Sequence, residues 1–244
     1  MTTFTISLAD FCVEINSIFE TTHTFCRDYP CEGVPEFSVT ISQKDITFER
    51  EKSAKEDLLE GIPVRQFSDE YLETLAVYRK ICAKLLERET LLFHSSAIAV
   101  DGVAYLFTAK SGTGKSTHTA LWRQVFKDRA VMINDDKPLL KLTSDGVLVC
   151  GTTWNGKHSL GCNRMVPLKA ICILERAEQN TIHPVDAAEA LPMLLQQSFR
   201  TGTPTGTVLL FDILDKLTKR VQLYRLGCNM DPQAAIVAYE GMKG

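Results

Sequence analysis

The sequence predicts an α/β fold whose core carries a glycine-rich phosphate loop, preceded by a small strand-rich N-terminal lobe. Residues 109–116, AKSGTGKS, have the spacing of a phosphate loop between an apolar strand and a helix. Strand-like and helix-like periodicities alternate after this loop, as in α/β folds. Residues 1–66 instead contain short alternating segments. We therefore predict an N-terminal lobe over residues 1–66 and a core over residues 67–244.

Composition limits the function classes. The 244 residues are 45% apolar and 23% charged, with a net charge of −3, which is ordinary for a soluble globular protein and lacks a basic excess for nucleic acid. The sequence shows neither an apolar run of membrane-spanning length nor a signal peptide. We therefore expect a cytoplasmic protein with no nucleic-acid or membrane partner.

The eight cysteines are scattered and include no CxxC pair. Most lie in apolar runs, so we expect reduced, buried thiols. The closest pair, Cys26 and Cys31, is the candidate for an alternative redox or metal pair.

The N-terminal elements follow from local pattern. Residues 3–8 alternate, and residues 35–42 and 45–50 are predicted to be two strands across a Ser-Gln-Lys turn. The charged run at residues 49–52 is predicted to be a solvated edge. Helical periodicity then begins at Ser68, an N-cap residue, and continues to about residue 88.

The core elements follow in chain order. Residues 91–100 and 103–109 are predicted to be apolar strands joined by Asp101-Gly102, a dipeptide that favours a tight hairpin. A helix over 114–126 and a buried strand over 130–134 come next. The remaining predictions are a hairpin centred on 144–146, a strand over 166–176, helices over 186–197 and 207–218, a strand over 220–226 and a helix over 231–239.

The glycine loop has the residue types that phosphate binding needs. Converging backbone N–H groups bind the anion at a helix N-terminus, and Gly112 and Gly114 permit the required positive φ angles. Ala109 replaces the usual first glycine. Lys115 would neutralise the β- and γ-phosphates, and the Ser116 hydroxyl would face Mg²⁺. The predicted nucleotide contacts are Ser111, Gly112, Thr113, Gly114, Lys115, Ser116 and Thr117.

Two carboxylates, Asp135 and Asp136, follow the strand over 130–134. Mg²⁺ is usually held by one or two carboxylates together with phosphate oxygens. One carboxylate could therefore face the metal and the other a substrate hydroxyl. The alternative is a solvated turn.

The loop over residues 152–164 contains basic residues of the kind usually found at the surface. Lys157 and His158 could reach a phosphate or an acidic substrate group, with Arg164 beyond them. The alternative is a solvated loop with Trp154 against the core.

Three isolated polar residues have weaker signals. His94 lies in an apolar strand, where a lone histidine is most often a core residue. Arg200 could contact the transferring phosphate or be an ordinary surface arginine. His118, in the helix after the glycine loop, is predicted to be structural or close to the nucleotide base and ribose.

Three motifs in order, FHSSAIAV, YLFTAKSGTGKST and VMINDDKPLL, carry a family resemblance. Over residues 93–136 the chain resembles the P-loop core shared by ATP-dependent phosphoenolpyruvate carboxykinases and bacterial HPr kinase/phosphorylases. The resemblance implies a mixed sheet flanked by helices. It further implies that Asp135 accepts a proton from the acceptor, that Asp136 binds the metal and that His94 lies beside the metal.

The sequence also departs from both families. It is shorter than the carboxykinases and lacks recognisable dicarboxylate-binding arginines, which argues against oxaloacetate chemistry. The glycine-rich HPr kinase signature ends in an acid, which residues 158–164 lack, and this argues against phosphorylase activity. The whole chain looks like small HPr-kinase-like proteins of anaerobic bacteria, some of whose relatives phosphorylate peptide serines.

The sequence therefore predicts a kinase that uses ATP and Mg²⁺, with Mn²⁺ as the alternative ion. The predicted acceptor is a hydroxyl of a peptide, a protein serine or a small molecule. Two alternatives stay open: a nucleotide-binding regulatory module without turnover, and a small-molecule carboxykinase or phosphatase on the same core. The resemblance also allows a homo-oligomer. The predicted catalytic residues are Asp135, Lys115 and Lys157, and the predicted metal site comprises Ser116, Asp136 and His94.

Overall fold

The computed structural model describes all 244 residues. The chain forms two units, Met1–Lys84 and Leu85–Gly244, so the division lies later than the predicted boundary at residue 66. The reason is the helix Asp69–Leu86 (α3), whose buried Glu73 accepts hydrogen bonds from the backbone N–H groups of Ile18 and Phe19. Most of the predicted helix at Ser68 thus exists but belongs to the N-terminal unit.

The N-terminal unit contains a three-stranded sheet and three helices. β1 and β2 are antiparallel, and β3 pairs with β2 in parallel. The strands are Thr2–Leu8 (β1), Phe11–Ser17 (β2) and Phe37–Thr40 (β3), and the helices are Glu20–Phe25 (α1), Gln43–Glu60 (α2) and α3.

The predicted strand over residues 45–50 is wrong, because these residues form part of α2. Ser42 and Asp45 make a reciprocal capping box at the start of this helix. Glu49 is buried and binds Arg79 of α3, so the predicted solvated edge is also wrong at this residue. Capping and a buried ion pair outweigh the β-propensity of the Ile-Thr-Phe run.

The cysteine prediction needs one correction. Cys12 and Cys31 form a disulfide, so Cys31 does not pair with Cys26. Burial raises the pKa of the free Cys26 thiol to about 12, which suits an inert core residue. The remaining six cysteines are free, as expected, and four of them are buried, whereas Cys162 and Cys228 are partly exposed.

The C-terminal unit is a nine-stranded mixed sheet in the order β4-β8-β9-β10-β6-β5-β7, with β12 beside β10 and β11 beside β12. Its strands are Thr90–Leu92 (β4), Ser96–Val100 (β5), Val103–Thr108 (β6), Ala130–Asn134 (β7), Leu139–Thr143 (β8), Gly146–Cys150 (β9), Met165–Arg176 (β10), Thr181–Val185 (β11) and Gln222–Cys228 (β12). Its helices are Lys115–Phe126 (α4), Ala187–Gln197 (α5), Pro204–Arg220 (α6) and Gln233–Met242 (α7). β11 was not predicted.

The sheet is buried on both faces. Two apolar clusters of buried residues cover the opposite faces of the sheet. Alternate residues of β6 point to opposite faces, so that Leu106 belongs to the first cluster and Phe107 to the second. α5 and α6 contribute to the first cluster, and α4 and α7 to the second. The structure therefore confirms a mixed sheet flanked by helices. No helix combines the length and apolar character that crossing a bilayer requires.

The long strand β10 changes partners along its length. Its first residues pair antiparallel with β9, and its later residues pair in parallel with both β6 and β12. Because β6 and β10 are parallel, the carboxyl ends of these two strands lie at the same edge of the sheet. The glycine loop leaves β6 at this edge, which is where α/β sheets usually bind ligands.

His118, in α4, lies in the second apolar cluster. Its Nε2 accepts a hydrogen bond from Trp122 Nε1 at 3.0 Å, its Nδ1 has no partner, and the side chain faces Phe107. Burial lowers the pKa of His118 to about 4. The histidine is therefore neutral and part of the core at neutral pH.

This pKa predicts acid sensitivity. Because the pKa of His118 is lower folded than unfolded, its stabilising effect is complete above pH 6.5 and is lost as pH falls towards about 4. When the pH is lowered from 7 to 5, the unfolding free energy of the wild type should decrease by about 2 kcal/mol more than that of a His118→Gln variant. Urea unfolding at both pH values measures this, and equal losses in both proteins would contradict the assignment.

Candidate functional site

The glycine loop, residues 109–116, joins β6 to α4. Its two glycines have φ angles of 74° (Gly112) and 124° (Gly114), which side chains rarely adopt. Ala109, at the position of the missing first glycine, is fully buried and is not among the residues with positive φ. The replacement is therefore compatible with the shape of this loop.

Lys115 begins α4 and turns back towards the loop. Its Nζ donates to the carbonyl oxygen of Ala109 at 3.4 Å. Burial lowers the pKa of Lys115, whereas the charges of Asp136 and Asp135 act in the opposite direction. Both carboxylates are thus within electrostatic range of the lysine of the glycine loop.

Antiparallel pairing of β5 with β7 brings the two aspartates to this edge. Ala97 pairs with Asn134, so residues 94–96 lie beside residues 135 and 136. Asp135 is buried, and its Oδ1 accepts a hydrogen bond from Ser96 Oγ at 2.5 Å. Ser96 Oγ also lies 2.9 Å from Thr119 Oγ1. This chain of hydroxyls connects Asp135 to α4.

Asp136 forms a pair with His94. The distance from Asp136 Oδ1 to His94 Nε2 is 2.7 Å, and Lys137 Nζ lies 3.4 Å from Asp136 Oδ2. Burial would raise the pKa of Asp136, but the His94 hydrogen bond and the Lys137 charge together lower it. Asp136 is therefore a carboxylate at neutral pH.

His94 does not lie inside a strand as predicted. The expected strand over residues 91–100 is divided into β4 and β5, and His94 occupies the connection between them. Its backbone N–H donates to the Gln197 carbonyl at the end of α5, and its carbonyl accepts from Thr108 Oγ1. The interruption leaves the imidazole 41% exposed beside Asp136.

Asn134, the last residue of β7, joins the aspartate turn to the next loop. Its Oδ1 accepts from the backbone N–H groups of Asp136 and Lys137 at 2.8 and 2.7 Å. Its Nδ2 donates to the carbonyl and hydroxyl oxygens of Thr152 and, at 3.4 Å, to the Trp154 carbonyl. This fully buried amide has partners on both sides.

The loop over residues 152–164 approaches Asp136 through Gly156. A Cβ atom on Gly156 would lie 3.1 Å from Asp136 Cβ, and the φ angle of Gly156 is 78°. The next two residues, Lys157 and His158, are exposed, as is Arg164. Trp154 is buried, as the structural alternative for this loop predicted.

The predicted Mg²⁺ site has oxygen donors but no complete set of protein ligands. The structure contains no cluster of three or more His, Cys, Asp or Glu side chains arranged for a metal. Asp136 is nevertheless ionised, and the exposed Ser116 hydroxyl lies on the glycine loop. Mg²⁺ commonly takes one or two carboxylates and completes its shell with phosphate oxygens and water. These residues fit that pattern.

A family model described as "SynChlorMet cassette protein ScmC" matches residues 64–239, more than half of the chain. The chain belongs to this family. No curated protein matches the sequence. Among solved structures, the Hpr(Ser) kinase/phosphatase from Coxiella burnetii is similar, with 13% identity, a TM-score of 0.35, and coverage of 63% of the ScmC-family chain and 99% of that chain.

The ScmC-family chain gathers four predicted site residues at one edge of the sheet: Lys115, Asp135, Asp136 and His94. The predicted loop cation Lys157 is exposed and directly follows Gly156, the residue that approaches Asp136. Ser111, Ser116 and Thr117 have exposed side chains on the loop and on α4. His158, Arg164 and Arg200 are exposed, and no side-chain hydrogen bond attaches them to the group. The roles of all these residues stay predictions.

Sequence reasoning missed several residues of this site in the ScmC-family chain. Asn134 and Ser96 are polar residues inside buried strands, which was the available signal. Thr119 and Arg176 gave none, because their partners are distant in sequence or belong to the backbone. Arg176 Nη2 donates to the Gly112 carbonyl oxygen at 2.6 Å.

Gly156 offers a test of the contact between the two loops of the ScmC-family chain. A Gly156→Ala variant should lose about 1 kcal/mol of stability from its positive φ, and the added methyl group should also displace Asp136. Gly102→Ala is the matched control, since Gly102 has a φ of 85° and a Cβ added there would meet no atom within 4 Å. We expect similar thermal destabilisation in both variants, and a lower rate of the ATP turnover that the sequence predicts in Gly156→Ala alone. Equal turnover in the two variants would show that the close contact between Gly156 and Asp136 does not affect activity.

Proposed function

We propose that this chain is an ATP- and Mg²⁺-dependent phosphotransferase that moves the γ-phosphate to a hydroxyl group. The main supporting observation is that β5–β7 pairing brings Asp135 and Asp136 to the sheet edge where the glycine loop leaves β6, within electrostatic range of Lys115. Kinase-type transfer depends on cations at the phosphates and a carboxylate at the attacking hydroxyl. The motif order described above supports the same reaction class.

The glycine loop would bind the phosphates through backbone N–H groups, and Lys115 would neutralise their charge. Asp136 and Ser116 would hold Mg²⁺, or Mn²⁺, with His94 beside the ion. When bound, the ion supplies further positive charge to the phosphates. His94 also keeps the Asp136 carboxylate in place through their hydrogen bond.

Asp135 would act on the acceptor. Ser96 binds its Oδ1, so Oδ2 is the oxygen available to receive the hydroxyl proton. As that proton moves to Asp135, the acceptor oxygen forms a bond to the γ-phosphorus, and the bond to the bridging oxygen of ADP breaks. The products are a phosphate ester and ADP.

The exposed cations would recognise the acceptor or the γ-phosphate. Lys157 and His158 belong to the loop that approaches Asp136, and Arg164 ends the same loop. Arg200 follows α5, whose end binds the His94 backbone. Cationic side chains of this kind would bind a phosphate or an acidic group of a peptide acceptor.

The direct test is transfer of label from γ-labelled ATP in the presence of Mg²⁺. Serine-containing peptides, the protein itself and small hydroxyl compounds serve as acceptors, and a Lys115→Ala variant is the control. We expect an acid-stable phosphate ester and ADP from the wild type alone. ATP binding without loss of the γ-phosphate would indicate a regulatory module, and release of inorganic phosphate from phosphorylated substrates would indicate a phosphatase.

A further inference from the structure

Arg176, the last residue of β10, lies against the outer side of the glycine loop. Its Nη2 donates to the carbonyl oxygen of Gly112 at 2.6 Å, and its Nε donates to that of Thr113 at 3.3 Å. β10 runs parallel to β6, with Ile173 opposite Thr108. The end of β10 therefore reaches the loop that follows β6, and the guanidinium bridges two consecutive loop carbonyls.

These contacts fix the direction of the loop amides. No peptide bond in the chain is cis, so each carbonyl points opposite to the N–H of the following residue. The N–H after the Gly112 carbonyl belongs to Thr113 and donates to the Lys110 carbonyl at 3.2 Å. The N–H after the Thr113 carbonyl belongs to Gly114 and makes no hydrogen bond within the protein. It is therefore directed away from Arg176.

The charge of Arg176 is not cancelled by a carboxylate. Its neighbour Glu175 is bound by Arg225, whose Nε also donates to Glu189 Oε1 at 2.9 Å. Arg176 itself forms no ion pair. An arginine is always protonated in proteins, so its positive charge adds to the attraction of an anion to the loop.

We propose that Arg176 is a positioning residue that holds the glycine loop in its phosphate-binding conformation. This inference rests on the proposed function, because it assumes that the loop binds nucleotide phosphates. Arg176 donates hydrogen bonds to the carbonyl oxygens of Gly112 and Thr113, so that the Gly114 N–H is directed to the opposite side of the loop. Its positive charge would attract the phosphates without direct contact. Lysine cannot replace it fully, because one ammonium lacks the planar fork that spans two carbonyls.

Calorimetric titration with ATP, ADP and adenosine tests this role. We expect Arg176→Ala to weaken ATP and ADP binding by about 10- to 100-fold, the effect of losing hydrogen bonds from a charged donor. Arg176→Lys should fall between Arg176→Ala and the wild type. Adenosine, which has no phosphate, should bind all three proteins equally.

Arg220→Ala is the matched control. Arg220 is also an exposed arginine that donates to a backbone carbonyl, that of Thr143, away from the glycine loop.

Chemical rescue of Arg176→Ala by guanidinium supplies a readout that a general structural role would not give. A cavity of about 270 Å³ is lined by Arg176 and Thr113, so guanidinium can reach the space left by the alanine. Low guanidinium chloride should restore ATP binding to Arg176→Ala, and equal NaCl should not.

Three results would overturn the proposal. The first is ATP binding by Arg176→Ala that equals that of the wild type while Lys115→Ala loses it, which leaves the proposed function intact. The second is an equal loss of ATP and adenosine binding with a lower melting temperature and no rescue by guanidinium. The third is failure of the wild type to bind any nucleotide, which would refute the proposed function as well.

Discussion

An Asp135→Asn variant is expected to transfer phosphate about 100- to 10,000-fold more slowly than the wild type, the usual contribution of a general base. Asparagine keeps an oxygen that can accept the Ser96 hydrogen bond, so the local geometry should survive. It places an NH₂ group where Asp135 Oδ2 stood, and this group cannot accept the proton of the hydroxyl. Initial rates of label transfer at saturating ATP measure the loss.

Two comparisons separate this effect from loss of binding or folding. ATP affinity and melting temperature should change little in Asp135→Asn, whereas Lys115→Ala should lose ATP affinity as well as rate. Normal transfer by Asp135→Asn would remove Asp135 from the reaction. A matching loss of ATP affinity would assign Asp135 to binding.

Replacement of Asn134 by alanine should have the largest effect on stability, about 3 kcal/mol of unfolding free energy. The amide is fully buried and bonds to Asp136, Lys137, Thr152 and Trp154. Alanine leaves those buried backbone groups without the side-chain partner, and buried polar groups are costly when unpaired. Urea unfolding measures the change.

Asn229→Ala is a suitable control for this variant. Asn229 also bonds to backbone on both sides, to Glu178 and Asp231, but these bonds are solvent-exposed. Its loss should cost less than about 1 kcal/mol, because water can satisfy the freed groups. Equal losses in the two variants would show that burial of the Asn134 network contributes nothing.

Local sequence signals were sufficient for most of the C-terminal unit. The β5–β6 hairpin has its turn at Asp101-Gly102, where both residues have positive φ, as the dipeptide predicted. α4 and β7 also agree with their predicted ranges. In the N-terminal unit, residues 45–50 of α2 were predicted to be a strand, because the ion pair of Glu49 with Arg79 links residues that are distant in the sequence.

The site shows the same division. The glycine loop and the aspartate pair are contiguous in sequence, so their chemistry could be recognised there. The side chains that position them could not, because Ser96 and Asp135 are 39 residues apart and Asn134 and Thr152 are 18 apart. Long-range contacts of this kind follow from strand order, which the pattern of a single sequence did not give.

The partner change along β10 has a consequence for the order of folding. The glycine loop ends at residue 116, but Arg176 is 64 residues beyond the Gly112 carbonyl that it binds. β10 in turn pairs with β12, which begins at Gln222. Because contacts between distant residues require costly loop closure, parallel pairing of this kind forms late. During synthesis on the ribosome, the loop is made early, and we expect it to acquire its final shape only after residue 176 has emerged.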